Sequence, residues 1–326
     1  MTSSKQILEM IRSHVAGDSQ RFFSVVAHIA DDAGKSGKTK VADELKAVIE
    51  SAQAAVSSAP SSRPIPIAAP RGELAGLVRA SYSETYLSDV VLNPDLNRRI
   101  LRLIREHRER DALALKSLTP RRKFLFSGPP GTGKGMTAAA VAGELGLPLF
   151  TILLDGVITK FMGETASKLR LIFDAMQNVK GVYFFDEVDA LASKRDVDND
   201  VGEARRVLNS FLQFLEEDQS SSVIIAATNH KALLDPALFR RFHGAFVYSK
   251  PSSEEARQVL RNHLLQFDRD SIDWNSVDAV SDGLSQADLV AAADDAARDA
   301  VLDNDSELTS QILVQALKDR GTIHPD

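Results

Sequence analysis

Eight residues from Gly128 to Gly135, GPPGTGKG, have the types and spacing needed to hold a polyphosphate. Gly128, Gly133 and Lys134 stand at P-loop intervals, in which backbone N–H groups cradle phosphates and the lysine reaches the β and γ groups. Pro129, Pro130, Gly131 and Thr132 complete the loop, and Met136 leads into the helix behind it. The position after the lysine ordinarily carries Ser or Thr, whose hydroxyl sits on Mg²⁺. Here it is Gly135. Further on, the apolar run GVYFF ends in Asp186-Glu187. At such a place Asp186 holds Mg²⁺, usually through water, and Glu187 polarises an attacking water as general base, with Asp189 assisting. Two acids after an apolar run are often only a helix start. One crossover after a P-loop, they read as a hydrolytic pair. Spacing separates the loop from a decoy: Gly37-Lys38-Thr39 resembles a P-loop end, but Asp32 stands where the first glycine belongs, so it reads as a solvated turn.

Positioning this chemistry requires a strand before the loop and a helix after it. Lys123 to Phe126, KFLF, reads as a short buried strand and Met136 to Leu145 as the helix. Further apolar runs at Leu149 to Leu154, Val182 to Phe185, Val223 to Ala227 and Ala245 to Val247 alternate with helical patterns, which predicts a parallel sheet covered on both faces. Leu96 to Lys116 reads as one helix entering this domain, with arginines 98, 99, 102, 105, 108 and 110 on a face whose interleaved acids make it a solvated surface. Beyond Ser252 the strands stop, and Glu254 to Phe267, Gln286 to Asp303 and Leu308 to Asp319 read as helices. The expected fold is therefore α/β, a P-loop parallel sheet over residues 73–250 with a helical lid over 251–326. Ahead of it, residues 1–56 carry apolar positions at helical spacing and read as a small all-α bundle for docking a partner or substrate. Residues 57–72, rich in Ser and Pro, read as an extended linker.

The bulk numbers narrow the field. A chain of 326 residues, 44% of them hydrophobic, has room for about two domains and a sizeable core. With 39 basic and 45 acidic side chains the net charge is -6, so the overall balance does not indicate nucleic acid or an anionic membrane as partner. The lack of cysteine removes disulfides and thiolate chemistry. No apolar run approaches the ~20 residues of a spanning helix, and MTSSKQILEM has no signal-like stretch, so a cytoplasmic location is expected.

Taken together, GPPGTGK, FFDEVDAL, AATN and LDPALFRRF, in that order and at similar spacing, resemble the AAA family of ATPases over roughly residues 85–320. The resemblance implies ATP and Mg²⁺ as cofactors, with Asn229 as the polar sensor between phosphate and water. It implies that Arg240 or Arg241 is a finger reaching the neighbouring subunit's γ-phosphate in a homo-oligomeric, hexameric ring. Most AAA sequences separate the two arginines by a short insertion, and here they are adjacent. Phe161-Met162-Gly163 matches the family's pore loop, which grips a threaded polypeptide, and Arg205 and Arg206 match a second pore-facing segment or the subunit seam. His263 and the stretch Gly283 to Asp288, Ser285 within it, match lid elements that cover adenine and ribose. A lid arginine is not evident.

Gly135 is the departure that touches the chemistry. Water can replace a missing hydroxyl on Mg²⁺, and Thr137, two positions on, points to another side of the helix. Weakened Mg²⁺-dependent hydrolysis with retained nucleotide binding is expected. Two functions follow: a ring motor that remodels or unfolds a protein substrate, or a nucleotide-controlled switch with slow turnover that recruits a separate effector protein. A loader of DNA rings fits less well, because the pore-loop aromatic suits protein handling.

Overall fold

The computed structural model describes residues 70, 72–158, 163–191, 201–230, 239–268, 272–303 and 307–323. The expected bundle at 1–56, nearly all of the expected linker at 57–72, and the expected pore residues Phe161 and Met162 lie outside the described residues, as does the side chain of Arg205.

Six strands form one sheet in the order β1-β3-β4-β5-β2-β6. They are β1 (Val78–Tyr82), β2 (Lys123–Ser127), β3 (Pro148–Ile152), β4 (Val182–Phe185), β5 (Val223–Thr228) and β6 (Gly244–Val247). Pairings from β3 to β6 are parallel, as expected, but β1 runs antiparallel to β3 and makes the sheet mixed. Of β1 only Val78 is buried, so its sequence lacks the apolar run that marks an inner strand.

The central strands β2, β4 and β5 are buried along their whole length. Their alternation divides the core into two layers. Leu125, Tyr183, Phe185, Ile224 and Ala226 face one layer, and Phe124, Phe126, Val182, Phe184, Val223, Ile225 and Ala227 face the other. The first layer is closed by helices α5 (Glu164–Asn178) and α6 (Val201–Glu217), the second by α1 (Pro94–Arg108) and α3 (Lys134–Leu145). Phe185 sits 5.8 Å from Phe173 and 5.2 Å from Phe211, ring centre to ring centre. Each such buried ring contributes about 1.5–3 kcal/mol relative to exposure, and together they hold the end of β4 in place.

The helix expected over 96–116 is two helices. α1 starts at Pro94 behind the N-cap Asn93, whose side chain accepts from Leu96 N–H at 2.8 Å, and it ends at Glu109, where the backbone leaves helical geometry. α2 (Arg110–Ala114) follows. The arginine face is matched by acids: Arg98 pairs with Asp95, Arg102 with Glu106, Arg105 with Glu109 and Arg108 with Glu144. These pairs are the basis for reading it as a solvated surface.

Between β3 and α5 lies the short α4 (Leu154–Val157). After β6 the lid contains α7 (Ser253–His263), α8 (Trp274–Ser281), α9 (Gln286–Asp303) and α10 (Ser310–Ile323) around its own apolar centre. α7 opens on a capping box between Ser252 and Glu255. The short α8 was not expected from sequence; Asp273 caps it and Trp274 lies against Arg261.

Candidate functional site

In the sheet order, β5 lies between β4 and β2. Parallel direction puts the carboxyl ends of all three at one edge of the sheet. The loop 128–134 leaves β2 there, Asp186-Glu187 leaves β4 and Asn229 leaves β5. With strands about 4.8 Å apart, Asn229, half-buried, stands between the loop and the acids. Gly128 N–H donates to Thr228 C=O at 3.2 Å and fixes the start of the loop to β5.

The glycines of the loop are needed where they stand. A Cβ on Gly128 would lie 2.3 Å from Tyr248 C=O, and one on Gly131 (φ +71) would lie 2.4 Å from Ser285 Oγ. Gly133 (φ +88) is the N-cap of α3, so the loop passes through left-handed backbone into the helix N-terminus, where the orphan N–H groups and dipole favour anions. Thr132, buried, donates its hydroxyl to Pro129 C=O at 2.8 Å. Lys134 is buried, and its ammonium donates to the carbonyls of Gly128 and Pro129, both at 2.7 Å. Burial lowers its pKa, opposed by Asp186, Asp189 and Glu187.

Gly135, exposed, is the second residue of α3. Thr137 is fully buried and donates its hydroxyl to Gly133 C=O at 2.9 Å, so it is committed to the helix. It does not substitute for a hydroxyl at 135.

Across from Lys134, Asp186 accepts from Glu187 N–H at 3.0 Å. Partial burial raises its carboxyl pKa; that N–H and Lys134 oppose the rise, and Asp189 adds to it. Glu187 is exposed and adopts φ +52, a left-handed conformation that costs a non-glycine residue roughly 1–2 kcal/mol. Its carbonyl accepts from Ala190 N–H at 2.8 Å, which pins the turn. Strained backbone at an exposed carboxylate is common in functional sites.

The two adjacent arginines differ. Arg241 pairs with Glu216 of α6 at 2.6 Å. Arg240 is exposed, and neither an ion pair nor a hydrogen bond involves it among the described residues. Arg206 lies exposed on α6.

The lid meets the loop through the start of α9. Ala287 N–H donates to Gly131 C=O at 3.0 Å, and Ser285, buried, exchanges hydrogen bonds with Asp288, 2.6 Å between Oγ and Oδ2. Gln286 spans two elements: its amide donates to Val91 C=O at 2.8 Å while its Oε1 lies 3.0 Å from where a Gly133 Cβ would be. Ser285 is thus beside the loop. His263 instead bonds Asp294 within the lid at 2.5 Å. Among the described residues nothing links it to the loop. Sequence reasoning placed the GLSQAD stretch in the lid but singled out only Ser285 from it; nothing in the sequence signals that Gln286 and Ala287 are the residues that meet the loop.

Residues 124–249 match the family described as ATPase family associated with various cellular activities (AAA). The chain is 33% identical over 311 residues to an uncharacterized AAA family ATPase, y4kL, of Sinorhizobium fredii, covering 94% of this chain and 92% of that protein. It is 36% identical over 201 residues to the ATP-dependent zinc metalloprotease FtsH of Mycobacterium leprae, covering 59% of this chain and 26% of the relative. It is 34% identical over 208 residues to proteasome-activating nucleotidase 1 of Haloferax volcanii, covering 61% of this chain and 51% of the relative. The chain thus spans about a quarter and a half of these last two. The crystal structure of the FIGL-1 AAA domain shares the fold with TM-score 0.59 at 23% identity, covering 74% of this chain and 85% of that one. Matched along nearly its full length at that first identity, with a phosphate loop and acid pair at one sheet edge, this chain belongs to the AAA family and is an ATPase.

Proposed function

We propose that this chain is a motor that couples ATP binding and hydrolysis at subunit interfaces to the remodelling or unfolding of a protein substrate through a central pore. The observation that carries the reading is Arg240: it is exposed and has no partner among the described residues, while Arg241 is tied to Glu216. An exposed arginine that its own fold leaves free suits service in trans to a neighbouring subunit's γ-phosphate. Arg240 is therefore assigned as the finger and Arg241 as a residue that holds the segment to α6. The N–H groups of 128–134 and Lys134 hold the phosphates, and Asn229 orients the attacking water. Glu187 takes that water's proton as its oxygen attacks the γ-phosphorus; the bond to the β-bridging oxygen breaks and ADP leaves.

The donor set suits a water-rich cation. Among the described residues no group of three metal-ligating side chains stands together, which fits Mg²⁺ held mainly by water and phosphate. Asp186, its carboxyl pushed toward neutrality by burial and by Asp189, is the group that would hold it. When bound, Mg²⁺ supplies neutralisation of charge on the β- and γ-phosphate oxygens. His263 and Ser285 are assigned to the lid side of the nucleotide, Phe161 and Met162 to the pore, and Arg205 and Arg206 to a second pore segment or the seam. A hexameric ring, a helical bundle at 1–56 that selects the protein partner, and a cytoplasmic location complete the proposal. Among the described residues no helix is long and apolar enough to cross a membrane. Relatives named for proteolysis support protein handling.

The test is ATP-dependent loss of fluorescence from a green fluorescent protein carrying an unstructured tail. Glu187→Gln and Phe161→Ala should each abolish it, the latter with ATP binding intact. Gly135 favours a second reading, a binding switch with slow turnover that recruits an effector. Steady turnover without unfolding, indifferent to Phe161→Ala, would refute the motor and leave the switch.

A further inference from the structure

Asp189 lies in the tight turn Val188–Leu191 that follows the catalytic pair. Its neighbours Val188 and Leu191 are both buried in the core, so the turn cannot lift its side chain into solvent. The residue is 9% exposed, and its Oδ1 is buried with no hydrogen-bond partner among the described residues. A buried carboxylate oxygen without a donor is uncommon in folded proteins and signals a missing water or ion. The carboxylate acts on the phosphate site: it stabilises the charged form of Lys134 ahead of Glu187 in effect, and it pushes the Asp186 carboxyl up. Three carboxylates therefore bear on one ammonium, and that ammonium is already tied to two loop carbonyls. The site has a surplus of negative charge beside the one P-loop position, Gly135, that lacks its metal-binding hydroxyl.

We infer that Asp189 is a metal-positioning residue: its unpartnered oxygen accepts from a water of the Mg²⁺ that accompanies ATP, and so takes over part of the anchoring that a hydroxyl at position 135 would provide. The inference rests on the Mg²⁺ reading under Proposed function. Asp186 and Asp189 then hold the ion's hydration shell from the β4 side, with Gly135 leaving the α3 side to water. This explains why a chain without the hydroxyl keeps a buried acid one of whose oxygens no group among the described residues satisfies.

The experiment is a calorimetric titration of full-length chains with ATPγS, with Mg²⁺ and again in EDTA. The chains are the unaltered protein, Asp189→Asn, Gly135→Thr and Gly135→Thr/Asp189→Asn. Removing an outer-shell partner typically costs about 10- to 100-fold in metal affinity. Asp189→Asn should therefore lose most of the tightening that Mg²⁺ gives, with its affinity in EDTA unchanged, and Gly135→Thr should restore it in the double variant. Unchanged affinity in EDTA shows the site is folded, and rescue by a residue on another element separates anchoring from a structural role. If Mg²⁺ tightens ATPγS binding equally in the unaltered chain and in Asp189→Asn, the role of Asp189 falls alone. A loss that is equal in EDTA, or that Gly135→Thr does not restore, overturns it as well. If Mg²⁺ fails to tighten binding even in the unaltered chain, the metal reading falls and this inference with it.

Discussion

Gly135→Thr should raise Mg²⁺-dependent ATP turnover, and the structure supplies the magnitude. A Cβ at Gly135 would meet only the Phe184 ring, at 3.7 and 3.9 Å, which is ordinary contact, and the residue sits in helical backbone at the second position of α3. The Cβ of a threonine therefore enters without displacing anything. Its helix propensity exceeds that of glycine by about 0.3–0.5 kcal/mol, which in a unit of this size raises the melting temperature by roughly 1–2 °C. The chemical effect is larger. An oxygen placed on a charged group contributes about 1.5–3 kcal/mol, and each ~1.4 kcal/mol is tenfold in rate, giving about 10- to 100-fold. On the inference that Asp189 carries part of the anchoring, the lower end is expected. Steady-state phosphate release over a Mg²⁺ series is the assay, with Gly135→Ala as control: alanine gains more helix stability, about 1 kcal/mol, but brings no hydroxyl. Equal rates for Gly135→Thr and the parent at every Mg²⁺ concentration, or an equal gain with alanine, would refute the reasoning.

Arg240→Ala should abolish turnover, with ATP binding kept, and should be complemented in mixtures with Glu187→Gln chains, which donate an intact arginine; Arg241→Ala should lower stability as well as rate. If mixing restores nothing, Arg240 does not act in trans. Asp218, whose side chain is fully buried, pairs with Arg122 and accepts from Ser220 N–H at 3.2 Å. Asp218→Ala leaves the part-buried Arg122 guanidinium only the main-chain carbonyl at 218 and should cost about 3 kcal/mol, read in chemical denaturation; a loss below about 1 kcal/mol would place the pair among weak surface bridges. His243 Nδ1 accepts from the N–H groups of Arg122 (3.1 Å) and Lys123 (3.2 Å). Burial first, then Lys123, Arg122 and Arg121, hold its pKa below the ordinary 6.5. A base with a depressed folded pKa contributes stability that is whole above 6.5 and is lost as pH falls toward the folded value. The melting temperature should therefore fall below that pH, and part of the fall should vanish in His243→Asn; superimposable profiles would sink the assignment. His107, also depressed by burial, accounts for part of the remainder.

What the sequence reveals here depends on whether a residue's environment is local. β2, β4 and β5 are legible because strands buried on both faces must be apolar throughout, and the phosphate loop is legible because its backbone requires glycine at fixed intervals. The edge strand β1 escapes because four of its five residues are not buried, and α8 because eight residues are too few to show a decisive period. The break at Glu109 leaves little trace, since both flanks favour helix. Long-range facts are harder still. Nothing in LFRRF says that Glu216, 25 residues back, takes Arg241 rather than Arg240, and nothing in FFDEVDAL says that one oxygen of its last acid lacks a donor among the described residues.

The lid contact is the clearest case of function resting on a backbone bond that no side-chain pattern encodes. Ala287 N–H to Gly131 C=O joins the first turn of α9 to the middle of the phosphate loop, and Gln286 to Val91 C=O joins the same turn to the segment ahead of α1. Each bond contributes about 0.5–1.5 kcal/mol net, a sum comparable with the free energy that a bound ligand can redistribute between two lid angles. The loop cannot change its peptide geometry on receiving phosphate without altering the acceptor that α9 leans on. Gly131 tolerates that coupling because it alone in the contact lacks a side chain: with any Cβ, Ser285 would be pushed away and the lid separated from the site it covers. The glycine that would let phosphate approach the backbone therefore also admits the lid contact, and under the proposed function that contact is the route by which the loop would report its occupancy to helices more than a hundred residues downstream.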